Sequence, residues 1–205
     1  MSLYYKKGKM ENAENLKPEE SLRLIDSMIN TAKNKLADDG FHLIFWGWLV
    51  FGAAMSHYIT IMMNIPYGYA VWPILMPLGG IISGFYGYKQ VKKDKVKTYI
   101  DVYLGYLWGA FAIGMVLTLV CMPKHGIANT YFFLMILYGI ATFVSGGLLN
   151  FKPLIIGSLF SFACAGISVF IGESAEQLLI ISVALLFSYI IPGHLLRAKY
   201  KSQNV

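Results

Sequence analysis

The sequence predicts an all-α polytopic membrane protein, with six transmembrane helices behind one N-terminal cytoplasmic amphipathic helix. Three observations predict it. Hydrophobic residues make up 57% of the 205 and charged residues 14%, with a mean hydropathy of +0.56, outside the averages of soluble domains. The apolar residues fall in blocks, each close to the roughly 20 helical residues that cross a hydrocarbon core about 30 Å thick. Sixteen of the seventeen lysines and arginines fall in segments that alternate crossing would place on one side.

The elements follow in order. Residues 1–40 read as a cytoplasmic N-terminal segment. Leu16-Lys17-Pro18-Glu19-Glu20-Ser21 carries a helix-start signal, a proline near the first turn followed by two acids. Leu22, Ile25, Met28, Ile29, Ala32 and Leu36 then recur at steps of three and four, mostly opposite Arg23, Asp26, Asn30, Lys33 and Asn34. This amphipathic stretch, Leu16–Leu36, is too polar to span and is expected on the cytoplasmic membrane surface. It packs on the bundle or on lipid, or else docks a cytoplasmic or membrane protein partner. No cleavable signal peptide is read in this polar lead, so the first span would serve as an uncleaved insertion signal, and Met10 is an alternative start to Met1.

The transmembrane domain is read over 41–196, with spans at 41–63, 70–88, 98–122, 131–149, 154–172 and 178–196, and a basic cytoplasmic tail at 197–205. Short loops make consecutive helices antiparallel neighbours. The N-terminal segment, the 89–97 loop, Lys152 and the tail hold all the basic residues but Lys124. By the positive-inside rule both termini are cytoplasmic, in a bacterial inner membrane. Tyr67, Tyr69, Trp72 and Tyr131 would girdle the outer interface, and Trp46, Trp48, Tyr86, Tyr88, Tyr99 and Tyr103 the inner one. A faint internal echo runs through the chain: Trp46-Gly47 with Gly52 resembles Trp108-Gly109 with Gly114, and Ser83-Gly84 resembles Ser145-Gly146. A duplicated hairpin would explain it, with the last two spans a third, more degenerate copy; chance in a glycine-rich chain explains it nearly as well.

Polar chemistry inside the spans is sparse. A buried charge costs several kcal/mol in hydrocarbon, so intramembrane ionisable residues mark function by default. Asp101 is the only acid within a span, and Lys97 four residues earlier is its expected interfacial partner. His57 is the one histidine well inside a span; His42 and His194 lie near the inner ends and His125 in an outer loop. No His/Cys/Asp/Glu spacing fits a metal site, Cys121 and Cys164 make no disulfide framework, and no phosphate loop, catalytic triad or nucleic-acid module is visible. No cofactor and no catalysis are therefore expected.

The second span is the most irregular. Trp72-Pro73-Ile74-Leu75-Met76-Pro77-Leu78-Gly79-Gly80 puts Pro77 and a glycine pair about 10–15 Å from the outer end at 1.5 Å per residue. Broken helices near the midplane point to transport sites, although neighbours often re-satisfy the backbone at an ordinary packing kink. A transport or ligand site would combine His57, Pro77, Gly79, Gly80 and Tyr138. Pro192-Gly193 in the sixth span reads as a helix terminus. Gly80 with Gly84 and Gly105 with Gly109 form small-residue faces, with Gly157, Ser161 and Ala165 a looser version, for packing inside the bundle or for oligomerisation.

The Leu16–Leu36 segment, Trp46-Gly47-Trp48, Pro77-Leu78-Gly79-Gly80 and the Ile191-Pro192-Gly193-His194 ending resemble uncharacterised bacterial inner-membrane proteins with an amphipathic helix before six spans. The resemblance covers most of the chain and implies architecture, with no activity and no site to carry over. The function expected is that of a non-enzymatic membrane protein acting through partner or lipid contacts; the alternative is a small transporter or channel using the second span.

Overall fold

A computed structural model describes residues 19–20, 22–23, 25, 40–93, 99–172 and 175–201. Most of the Leu16–Leu36 segment, and Lys97 as the partner expected for Asp101, lie outside the described residues. Of that segment Glu19, Glu20, Leu22, Arg23 and Ile25 are described, and they are helical and exposed.

Every regular element among the described residues is helical: α1 (Phe41–Met62), a 3-10 turn (Gly68–Ala70), α2 (Val71–Lys93), α3 (Tyr99–Leu148), α4 (Lys152–Ile171), α5 (Glu176–Leu185), a π-helical turn (Leu186–Ile190) and α6 (Ile191–Lys201). The last three form one continuous run. Among the described residues five stretches are long and apolar enough to cross a membrane.

α3 spans 50 residues, which as a straight rod would measure about 75 Å, over twice a hydrocarbon core. It folds back instead. Gly126 has φ 84° and ψ 167°, a region essentially reserved for glycine. The rings of Phe111 and Tyr138 lie 5.2 Å apart, where 27 residues of straight helix would separate them by about 40 Å. Ile100 and Leu104 pack against Leu148 in the same way. α3 is thus an antiparallel pair of arms. The sequence suggests a loop over 123–130, but helix reaches the reversal from both sides. Asn129 and Thr130 donate side-chain hydrogen bonds to the carbonyls of His125 and Gly126 at 2.6 and 2.8 Å, satisfying groups that the turn frees.

Other contacts fix which helix ends lie together. Phe41 stacks on Tyr86 at 4.2 Å, a Cβ on Gly193 would meet Leu43 and Ile44, and Leu43 packs on Leu149, Phe151, Leu154 and Leu196. The start of α1, the end of α2, both ends of α3, the start of α4 and the end of α6 therefore share one end of the bundle. Lys89, Lys92, Lys152, Arg197 and Lys199 lie there, and Lys124 lies at the other.

Burial is unequal. In the run Glu176–Lys199, 56% of the most apolar window is buried, against 6% in the second candidate span and 6% in α3. The core sits where α1, the returning arm of α3 and α4 close on α5 and the π turn, around Val50, Ala54, Met135, Ile181, Leu185 and Tyr189. Glycines make that closure possible. A Cβ on Gly157 would run into the Phe187 carbonyl, one on Gly47 would come within 2.8 Å of Ile190, and one on Gly146 within 2.8 Å of Ile155.

Two prolines behave differently from the sequence expectation. α2 runs unbroken through Pro77, Gly79 and Gly80. The carbonyl that Pro77 leaves without a helical donor is that of Pro73, in the first turn of α2. Pro192-Gly193 does not end the last helix, which continues to Lys201. Pro192 cannot donate to Ser188 four residues back, and the turn just before it is widened, with Ile191 N–H bonding to the Leu186 carbonyl five residues back.

Candidate functional site

Two polar groupings stand out from the apolar helices: a buried tyrosine pair at the π turn, and the contacts that join α2 to α1.

Tyr189 is 2% exposed. Its ring meets Tyr138 edge-on at 5.3 Å and Trp108 at 6.2 Å, and Phe111 lies 5.2 Å from Tyr138. The Tyr189 hydroxyl has no hydrogen-bond partner, and Ser145 Oγ and Gln177 Oε1 share that condition among the described residues. An unpaired buried hydroxyl is costly, and π turns are frequent at functional positions. Around this pair the buried hydroxyls serve as small side chains. Thr142, Ser158, Ser168, Ser182 and Ser188 each donate back to a carbonyl of their own helix at 2.6–2.7 Å. Ser161 is different, reaching the Met135 carbonyl on the neighbouring helix at 3.0 Å.

α2 is joined to α1 by a polar clasp at each end. At the lysine-poor end Trp72 Nε1 donates to His57 Nδ1 at 3.1 Å, and Thr60 Oγ1 donates to the His57 carbonyl at 2.7 Å. Only glycine fits at position 68 above them, because a Cβ there would collide with Thr60. At the basic end Trp46 Nε1 donates to Ser83 Oγ at 3.2 Å, and Ser83 Oγ lies 2.9 Å from His42 Nδ1. Tyr86 closes over His42 edge-on at 5.5 Å. Between the clasps Gly79 is buried against Leu49 and Trp46.

The residues that the sequence suggests for a transport site fall into three settings. His57 is engaged with Trp72. Tyr138 packs with Tyr189 in the core. Pro77 and Gly80 are exposed on α2, while Gly79 faces α1. The chain therefore does not bring Pro77 and Gly80 to His57 or Tyr138. Of the two uses suggested for the glycine faces, packing inside the bundle is not made at Gly80, Gly84, Gly105 and Gly109, where an added Cβ would meet nothing within 4 Å. Sequence reasoning missed Tyr189, Trp72, Trp46, Ser83 and His42 as a set. Two indole donors, Trp72 in the span after the one that carries His57 and Trp46 one helical turn after His42 in the same span, were the available signal. Among the described residues no group of three His, Cys, Asp or Glu side chains could hold a metal.

No family model, no curated protein and no solved structure matches this chain.

Proposed function

We propose that this is a six-span protein of the bacterial inner membrane, with both termini cytoplasmic, that works through lateral contacts with a protein partner or with lipid rather than through catalysis. The carrying observation is the open surface of α2 and the outgoing arm of α3. Both are long apolar helices, yet their small-residue faces, Gly80 with Gly84 and Gly105 with Gly109, touch nothing. Small residues let another membrane helix approach closely, and lipid alone does not require them. The doubled-back α3 supports counting six crossings. The clustering of basic residues at one end of the bundle supports placing that end in the cytoplasm.

Purification of the full chain in mild detergent, with the co-purifying proteins and lipids identified by mass spectrometry, tests the contact reading. Gly80→Leu with Gly84→Leu, and Gly105→Leu with Gly109→Leu, should strip specific companions while leaving thermal stability intact. Identical companions in all three proteins would overturn the reading. Topology is checked separately by single cysteines replacing Lys124 and Lys152. An impermeant maleimide should label the first on intact cells and the second only after lysis.

A further inference from the structure

Among the described residues α1 is the one helix that α2 packs against at length, and the two clasps that join them both end in a histidine. They differ in what a proton would do. An indole N–H can only donate, so the Trp72 bond requires a lone pair on His57 Nδ1 and places the ring's own hydrogen on Nε2. Imidazolium carries hydrogen on both nitrogens and accepts nothing. A proton on His57 would set two N–H groups against each other at 3.1 Å. At the basic end Ser83 stands between donor and ring. Its oxygen accepts from Trp46 and can either donate to His42 Nδ1 or accept from it, so that clasp survives protonation by reversing one hydroxyl.

We propose that His57 is a proton-operated release for the lysine-poor end of α2: protonation parts Trp72 from α1, the Trp46–Ser83–His42 clasp holds, and α2 swings outward about its basic end. His57 lies five residues before the end of α1, roughly 8 Å along the helix, within reach of interfacial water. The groups packed on it, Thr60 of its own helix, Gly68 of the turn and Trp72 of α2, carry no charge. The elements against this end of α1 bring Tyr58 on α1 itself, Tyr67 and Tyr69 at the turn, and Glu176 at the start of α5. Imidazole is the side chain whose ordinary range, about 6.5, brings a change of charge within mildly acidic pH, and none of these neighbours is a second histidine. A swing would expose the α1-facing side of α2, including Gly79 and Met76, and so alter which face is offered to a partner. The clasp chemistry is independent of the proposed topology, which decides only that the proton arrives from outside the cell.

The test uses the full chain in lipid nanodiscs, with tryptophan emission followed from about pH 8 to about pH 5 across that range. Wild type minus Trp72→Phe isolates the Trp72 signal, which should show one reversible step. His57→Asn keeps an amide acceptor near the position of Nδ1 and should abolish the step; His42→Asn should leave it. A step that persists in His57→Asn, or a flat wild-type curve, overturns the proposal. Should Trp72→Phe fail to fold, the total emission of wild type against His57→Asn reads the same step. The swing is read by nitroxides at Tyr69→Cys and Glu176→Cys in a Cys121→Ser, Cys164→Ser background. Their separation should widen reversibly at acid pH, and an unchanged distance overturns the movement.

Discussion

The last helical run and α2 are both apolar helices of similar length, and they are built on opposite terms. Around α5 and the π turn, backbones approach until a single Cβ would collide, as at Gly157 against the Phe187 carbonyl and Gly47 against Ile190. On α2, Gly80 and Gly84 face open space. Small residues recur every fourth position in both settings, Gly80 and Gly84 on α2 and Gly157, Ser161 and Ala165 on α4, which packs against the last run. The difference lies in what stands opposite, so a small-residue motif signals capacity for close approach and does not say whether the partner lies within the chain.

That comparison can be broken by substitution. Gly157→Ala should destabilise most, by about 1–3 kcal/mol or more, since the obstacle is backbone that cannot rotate away; thermal unfolding read by thiol labelling of buried Cys164 measures it. Gly126→Ala should cost about 1–3 kcal/mol through its left-handed φ, and should also loosen contact between the arms, read as slower migration or broader cross-link distances between residues replacing Phe111 and Tyr138. Tyr189→Phe removes a hydroxyl with no partner, so stability should stay level or rise by up to about 1 kcal/mol in the same assay. A clear loss would mean that the hydroxyl is bonded in the working protein. Gly80→Ala and Gly84→Ala should each stay within about 0.5 kcal/mol of wild type; a larger loss would show that α2 is packed after all.

The helical class and the positions of the apolar stretches were legible because hydrophobic blocks and lysine placement follow directly from the bilayer. The interior was less so. The echo between Trp46-Gly47 and Trp108-Gly109 is real as text, yet Gly47 is pressed against the last helix while Gly109 touches nothing. Ser83-Gly84 and Ser145-Gly146 diverge likewise: Gly84 is open, and Gly146 is pressed against Ile155. Burial depends on long-range pairing, which local motifs do not encode. A search for midplane charge also passed over Tyr189, because an unpartnered hydroxyl is defined by its surroundings and not by its residue type. His57 was singled out from the sequence, but its partner Trp72 was read as an interfacial aromatic, since only the antiparallel register of α1 and α2 brings indole to imidazole.

The reversal at Gly126 has a consequence for how the chain is made. Two arms joined by one non-helical residue leave no slack for one to enter the membrane and wait for the other. On the six-span topology proposed above they insert together as a preformed hairpin, satisfying their backbone bonds before reaching hydrocarbon. On that topology the tip, with His125 beside it, carries across one lysine, Lys124, while the other lysines and the arginines stay behind.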